Sequence, residues 1–257
     1  MHRKDFSIGE TMNIHCDAVF ANQADREETV TEQNRWGTWK MVTTATRGVG
    51  LNRNIALLAA DADILLLADD DLVYNNDMPT QVLKAFAENP QADVLIFGMD
   101  ILKNGKITER RHLQAKRRHV WDSMRFGTCT MAIRRKALVG SNISFHQCFG
   151  GGCMYSAGED SIFLKNCFDH KLRVYSQPYV LGTCCKDTSS WFVGHNEKYF
   201  YDKGALMAHL FPRIPHVMGI YFGVRFKRET NVPVLRRVQL IFRGIQGGKK
   251  LKPYTQK

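Results

Sequence analysis

Hydrophobic positions along the chain fall into two alternating patterns. Short apolar runs bounded by Asn, Asp, Gly or Ser predict strands over residues 15–21, 39–45, 64–67, 93–99, 129–133, 172–175 and 179–181. Stretches with apolar residues every third or fourth position predict helices over 7–12, 55–60, 78–88, 161–170, 197–210, 214–226 and 234–245. Ser7-Ile8-Gly9-Glu10 has the spacing of a capping box, and Lys103-Asn104-Gly105-Lys106 carries a hairpin signal. Alternating strands and helices predict an α/β fold whose sheet is mostly parallel and doubly wound, followed by a purely helical C-terminal stretch. In such sheets ligands bind beyond the carboxyl ends of the strands.

Composition narrows the class. A chain of 257 residues, 44% hydrophobic and 24% charged, builds one large domain or two small ones. No run approaches the roughly 18 apolar residues of a membrane span; the richest, 55–67, is broken by Asp61 and Asp63. Arg3 and Lys4 have no apolar segment behind them, so a cytoplasmic location is expected. Seven cysteines with no CxxC pairing of the zinc type read as reduced thiols, including Cys148 and Cys153 around Gly150-Gly151-Gly152. The formal charge is +11, and residues 225–257 hold ten Lys and Arg against one acid, Glu229, leaving a body close to neutral. A basic tail suits anionic lipid at the inner face of the plasma membrane, with the cationic side of the 234–245 helix toward the headgroups. The same charge could serve a nucleic acid, but no binding motif for one accompanies it.

Three stretches carry candidate chemistry. Ile64-Leu65-Leu66-Leu67 runs through Ala68 into Asp69-Asp70-Asp71, three adjacent anions that need a cation, a hydrogen-bonding partner or open water. Such carboxylates suit Mg²⁺ or Mn²⁺ that also holds substrate phosphate. Gly48 and Gly50 precede Asn52-Arg53-Asn54 at an expected helix start, a plausible anion seat or simply a capped turn. Gly158-Glu159-Asp160 heads a helix, either as a capping pair or as a general base.

The order Gly48 to Asn54, Asp69-Asp70-Asp71, then Gly158-Glu159-Asp160 resembles glycosyltransferase family 2 on the Rossmann-like GT-A fold. The later Thr188-Ser189-Ser190-Trp191-Phe192 is similar to the segment that closes the site in bacterial surface-polysaccharide members. The resemblance implies inverting transfer of a sugar from a nucleotide donor, UDP foremost, to a hydroxyl of a glycan or lipid-linked acceptor. It implies Asp160 as base, with Glu159 orienting the acceptor. Arg53, Asn54, Asp69, Asp70 and Trp191 would bind the donor. Asp71, Asp69 and His195 would hold Mn²⁺ or Mg²⁺, with Asp70 an alternative ligand. The expected domains are a GT-A unit over 1–210 and a basic helical extension over 211–257. A sugar nucleotidyltransferase is the nearest rival, although 48–54 lacks the lysine such an enzyme would want. A metal-dependent hydrolase and an inactive, truncated sugar-nucleotide binder are further alternatives. The GT-A pattern also opens with a strand that contacts the base, and nothing strand-like precedes residues 7–12. The reading frame is therefore expected to continue upstream of Met1; a stop codon directly upstream counts against this.

Overall fold

A computed structural model describes residues 2–185 and 194–255. Their packing forms two units: residues 2–47, 51–144 and 163–185 make one, and 48–50, 145–162 and 194–255 the other.

The first unit carries the sheets. After α1 (Ser7–Thr11), strands β1 (Ala18–Gln23), β2 (Glu28–Asn34) and β3 (Gly37–Thr44) form a three-stranded sheet in the order β1-β3-β2. Helix α2 (Val49–Ala59) leads to β4 (Ile64–Leu66) and β5 (Leu72–Tyr74); α3 (Met78–Glu88) leads to β6 (Val94–Lys103). Strands β7 (Lys106–Arg111), β8 (Lys116–Arg117) and β9 (Met131–Arg134) follow, then helices α4 (Arg135–Gly140) and α5 (Glu159–Asp169) and the long strand β10 (Val174–Cys185). The larger sheet runs β4-β9-β6-β10-β5, with β7 on β6 and β8 on β10.

The α/β class holds, but the ladders are not mostly parallel. Only β1–β3 and β6–β10 pair in parallel among the described residues. The physical reason is connectivity, since parallel neighbours need long crossovers whereas hairpins give antiparallel ones. The 103–106 turn is such a hairpin, with Asn104 and Gly105 both at positive φ as a two-residue primed turn requires. Strand β9 then runs antiparallel to both β4 and β6. The two short strands expected at 172–175 and 179–181 are one bulged strand, β10. The core of this unit includes Trp39, Leu72, Phe86, Leu95, Phe97 and Met99, all at most 2% exposed.

The second unit is built by α6 (Glu197–Leu210), α7 (Pro215–Arg225) and α8 (Val234–Lys249). Helix α6 matches its expected bounds; α8 continues a turn beyond the expected 245. Its interior is Phe200, Met207, Leu240, Ile241 and Ile245. The expected boundary at residue 210 thus falls between helices of one unit. Among the described residues no helix is long and apolar enough to cross a membrane. All seven cysteines are free thiols, as their spacing predicted.

Candidate active site

In the first unit, three identical acids meet three different environments. The chain leaves β4 in extended form, with Leu67 N–H donating to the Met131 carbonyl, and turns at Asp70-Asp71 into β5. Burial of Leu65 and Leu67 on one side, then of Leu72 and Tyr74 on the other, anchors this crossing and leaves the acids at its rim. Arg53 donates from Nη2 to Asp69 Oδ1 at 2.6 Å; the Arg53 side chain is 11% exposed and that of Asp69 38%. Arg3 lies 3.3 Å from Asp70 Oδ2, in the open. Asp71 has no cationic partner among the described residues. Its carboxylate accepts from the weak Cys184 thiol donor, 3.5 Å away, and from its own backbone N–H, while its carbonyl accepts from Cys185 N–H at 2.8 Å. Although the residue as a whole is exposed, crowding around its carboxyl pushes the Asp71 pKa up, and the Asp69 charge pushes it further. Nearby, Tyr74 is 3% exposed and its hydroxyl has no hydrogen-bond partner among the described residues.

Carboxylate oxygens are the ligand type a hard divalent cation takes. Asp71 and Asp69 offer carboxylate oxygens, and among the described residues no three His, Cys, Asp or Glu side chains gather around one point. Mg²⁺ and Mn²⁺ accept such an incomplete shell, filling it with water and substrate phosphate.

The expected helix start at Asn52-Arg53-Asn54 needs correction. Helix α2 begins at Val49, so these residues lie a turn inside it and do not present its first free N–H groups. The Val49 N–H already donates to the Gly151 carbonyl, and the Cys153 thiol accepts from the backbone of Gly50 and Val49. What α2 contributes is side chains: Arg53 to Asp69, and Asn52, whose amide donates to the Ala21 carbonyl. Asn54 lies half-buried one residue further along the helix.

In the second unit, a glycine-rich loop leads to the other acids. Gly150 N–H donates to the Tyr155 carbonyl and Tyr155 N–H to the Cys148 carbonyl, and the Phe149 and Tyr155 rings pack tilted by 35° with centroids 4.7 Å apart. Gly150 sits at φ +108°, and a Cβ there would lie 2.9 Å from the Glu159 carboxyl carbon. Glu159 Oε2 in turn accepts the Gly158 N–H at 3.0 Å. The Glu159 carboxylate is thus folded back on the start of its own helix, while Asp160 stands half-buried in the first turn of α5. His195 lies in this unit as well, its ring edge-on to Tyr199 and Phe226 and its Nδ1 3.0 Å from the Glu229 carbonyl. Trp191, with the whole 188–192 segment expected to close the site, lies outside the described residues.

Sequence reasoning missed Asp202. It is 3% exposed, and its Oδ2 accepts from Ser156 N–H, Ser156 Oγ and Lys198 Nζ, tying the approach to Glu159 and Asp160 onto α6. The Lys198/Asp202 spacing of four was the available signal. Also missed was the ring cluster of His146, Phe149 and His209, with centroids 5.0 Å apart. Burial holds the His146 pKa down, and the neighbouring His209 lowers it further.

Comparison with known proteins decides the family. The family model described as "Glycosyl transferase family 2" matches residues 13–141. The chain belongs to glycosyl transferase family 2. Its matched region includes Arg53, Asn54 and the three acids, whereas Glu159 and Asp160 lie beyond it. No curated protein matches the chain. Among solved structures, S. aureus TarS 1-349 in complex with UDP-GlcNAc superposes with a TM-score of 0.52 at 15% identity, over 83% of this chain and 57% of that one. The structure of TarS 1-349 gives 0.49 at 16% identity, covering 82% and 54%. The chain therefore spans little more than half of these TarS chains. The first of these likenesses is one of fold.

Proposed function

We propose that this family 2 chain transfers a sugar, with inversion, from a nucleotide donor, UDP foremost, to a hydroxyl of a glycan or lipid-linked acceptor in surface-polysaccharide synthesis. The observation that carries the reading is the division of labour within the acidic triplet. Asp69 is committed to Arg53 and Asp70 faces Arg3, so Asp71 is the carboxylate whose charge is uncompensated. In this reading Asp71, with Asp69 beside it, would hold Mg²⁺ or Mn²⁺, and the bound ion would supply Lewis-acid stabilisation to a leaving diphosphate. Arg53 fixes the Asp69 carboxylate, which is then oriented to accept a hydrogen bond from a ribose hydroxyl. Asp70 and Asn54 add polar contacts to the donor. Asp160 takes the proton of the attacking hydroxyl, and the folded-back Glu159 holds the start of α5 so that Asp160 keeps its position. The ring environment of His195 favours packing over metal binding. The UDP-GlcNAc held by TarS supports a UDP-sugar as the first donor to test.

The experiment is a screen of nucleotide sugars for binding with Mn²⁺, with Mg²⁺ and with chelator, repeated on Asp71→Asn. One donor is expected to bind with metal and to lose at least tenfold in affinity in the variant. Donor binding indifferent to both metal and Asp71 would sink the assignment.

A further inference from the structure

Helix α7 carries apolar side chains on two faces. Its inner face is narrow: a Cβ on Gly219 would sit 2.6 Å from the Ile241 side chain, and one on Gly223 would sit 3.1 Å from that of Val238. Met218 and Phe222 pack inward against the core of this unit, but a second set of bulky residues points the other way. Val217, Ile220, Tyr221 and Val224 are 62, 46, 58 and 57% exposed, and their i, i+3, i+4, i+7 spacing places them in one stripe. Ile214 just before the helix, and Val234 and Leu235 at the start of α8, are exposed too. A helix on a water-facing surface turns its polar side outward, so this face is shaped to be covered.

Charge says by what. From Phe211 to Arg228 there is no acid, and exposed Arg213 stands before α7 while Arg225, Lys227 and Arg228 stand at and after its end. None of these four cations enters an ion pair among the described residues. The Arg225 guanidinium lies 5.7 Å from the Tyr221 ring, an amphipathic pair suited to a headgroup boundary. The cationic side of α8, by contrast, is partly spent inside the protein. Arg236 forms two hydrogen bonds with Glu197, and Arg237 donates to the Val232 and Phe226 carbonyls.

We infer that the outer face of α7 docks flat on an anionic lipid bilayer, with Val217, Ile220, Tyr221 and Val224 entering the headgroup boundary and Arg213, Arg225, Lys227 and Arg228 meeting lipid phosphates. Eleven residues of helix extend about 16 Å, roughly half the hydrocarbon thickness, so α7 lies in the interface and does not cross it. The inference stands apart from the sugar-transfer reading and survives if that reading fails.

The test is co-sedimentation of the full chain with vesicles of phosphatidylcholine alone and with phosphatidylglycerol added. Wild type is expected to bind the anionic vesicles at least tenfold more tightly and to release in high salt. Val217→Asp/Ile220→Asp should abolish binding, and Arg225→Gln/Lys227→Gln should weaken it by roughly fivefold per cation removed. Leu58→Asp, an 86%-exposed apolar position on α2, should bind as wild type does. Because these side chains are exposed, circular dichroism and melting temperature should be unchanged. No binding by wild type, or undiminished binding by Val217→Asp/Ile220→Asp, would overturn the inference. So would a wild-type dimer in light scattering that this double variant dissolves, which would assign the face to a second copy of the chain.

Discussion

Arg53 and Asp69 are the pair through which the acidic turn is held in shape. A guanidinium that is mostly buried, 2.6 Å from a partly exposed carboxylate, offers a charge-assisted hydrogen bond in which Arg53 has given up most of its water. Arg53→Ala leaves Asp69 without that donor. Solvent at Asp69 screens the loss, so the expected destabilisation is about 1–2 kcal/mol by urea titration. Arg53→Lys keeps the charge but not the planar fork and should recover part of it. On the proposed reading, donor affinity falls in both variants, and unchanged affinity in Arg53→Ala would detach the pair from the donor site. None of this was legible in three consecutive Asp letters. Their partners Arg53, Arg3 and Cys184 lie 16, 67 and 113 residues away, and only the folded chain assigns one to each acid.

Between elements, α6 and α8 pack through glycine. A Cβ on Gly204 would enter the Ile241 carbonyl and one on Gly244 the Tyr201 carbonyl, so the two backbones touch where the side chains are absent. Gly244→Ala should therefore cost on the order of 1–3 kcal/mol as overpacking, whereas Gly140→Ala, into open space at the end of α4, should be neutral or mildly stabilising. Equal stabilities for the two variants would contradict this packing. The same helices share the Glu197 carboxylate, held down to about 2 from its ordinary 4.5 first by the Arg236 guanidinium and then by the Tyr254 hydroxyl. A depressed acid stabilises the fold above the unfolded value and loses that contribution as pH falls from about 4.5 toward 2. The melting temperature of Glu197→Gln should consequently fall less steeply than that of wild type across this window. At this scale the sequence was informative wherever periodicity was strong, since α3 and α6 begin and end where expected. It failed at β2, a polar edge strand with six of seven positions exposed. It also placed the cap of α1 on Ser7, whereas Ser7 lies inside the helix and its N–H donates to the Asp5 carboxylate. One residue of slippage at a short helix changes which side chain is the cap.

Across the molecule, charge and burial are distributed in ways that totals conceal. Residues 103–118 hold seven Lys and Arg against Glu109, and β7 and β8 expose every position, so a body close to neutral on average carries a strongly basic sheet edge. Thiol reactivity offers a probe of core integrity, because Cys167 is fully buried and its pKa is pushed up to about 12 by that burial. With an aromatic disulfide reagent at pH 8, partly exposed cysteines such as Cys16 and Cys148 should react in the native state, while Cys167 should react only at the rate of unfolding. A Cys167 modified as fast as Cys148 would mean that the core opens locally. By itself the sequence determined the alternation of strands and helices, the α/β class, the free state of the cysteines and the acidic turn as the centre of interest. All of these depend on residue type and local spacing. Tertiary structure decided which acid keeps an uncompensated charge, that most ladders run antiparallel, that Arg236 and Arg237 are spent internally, and that α7 leaves an apolar stripe outside while its glycines face inward. Each of those depends on what distant segments bring alongside, and short-range periodicity carries no information about that.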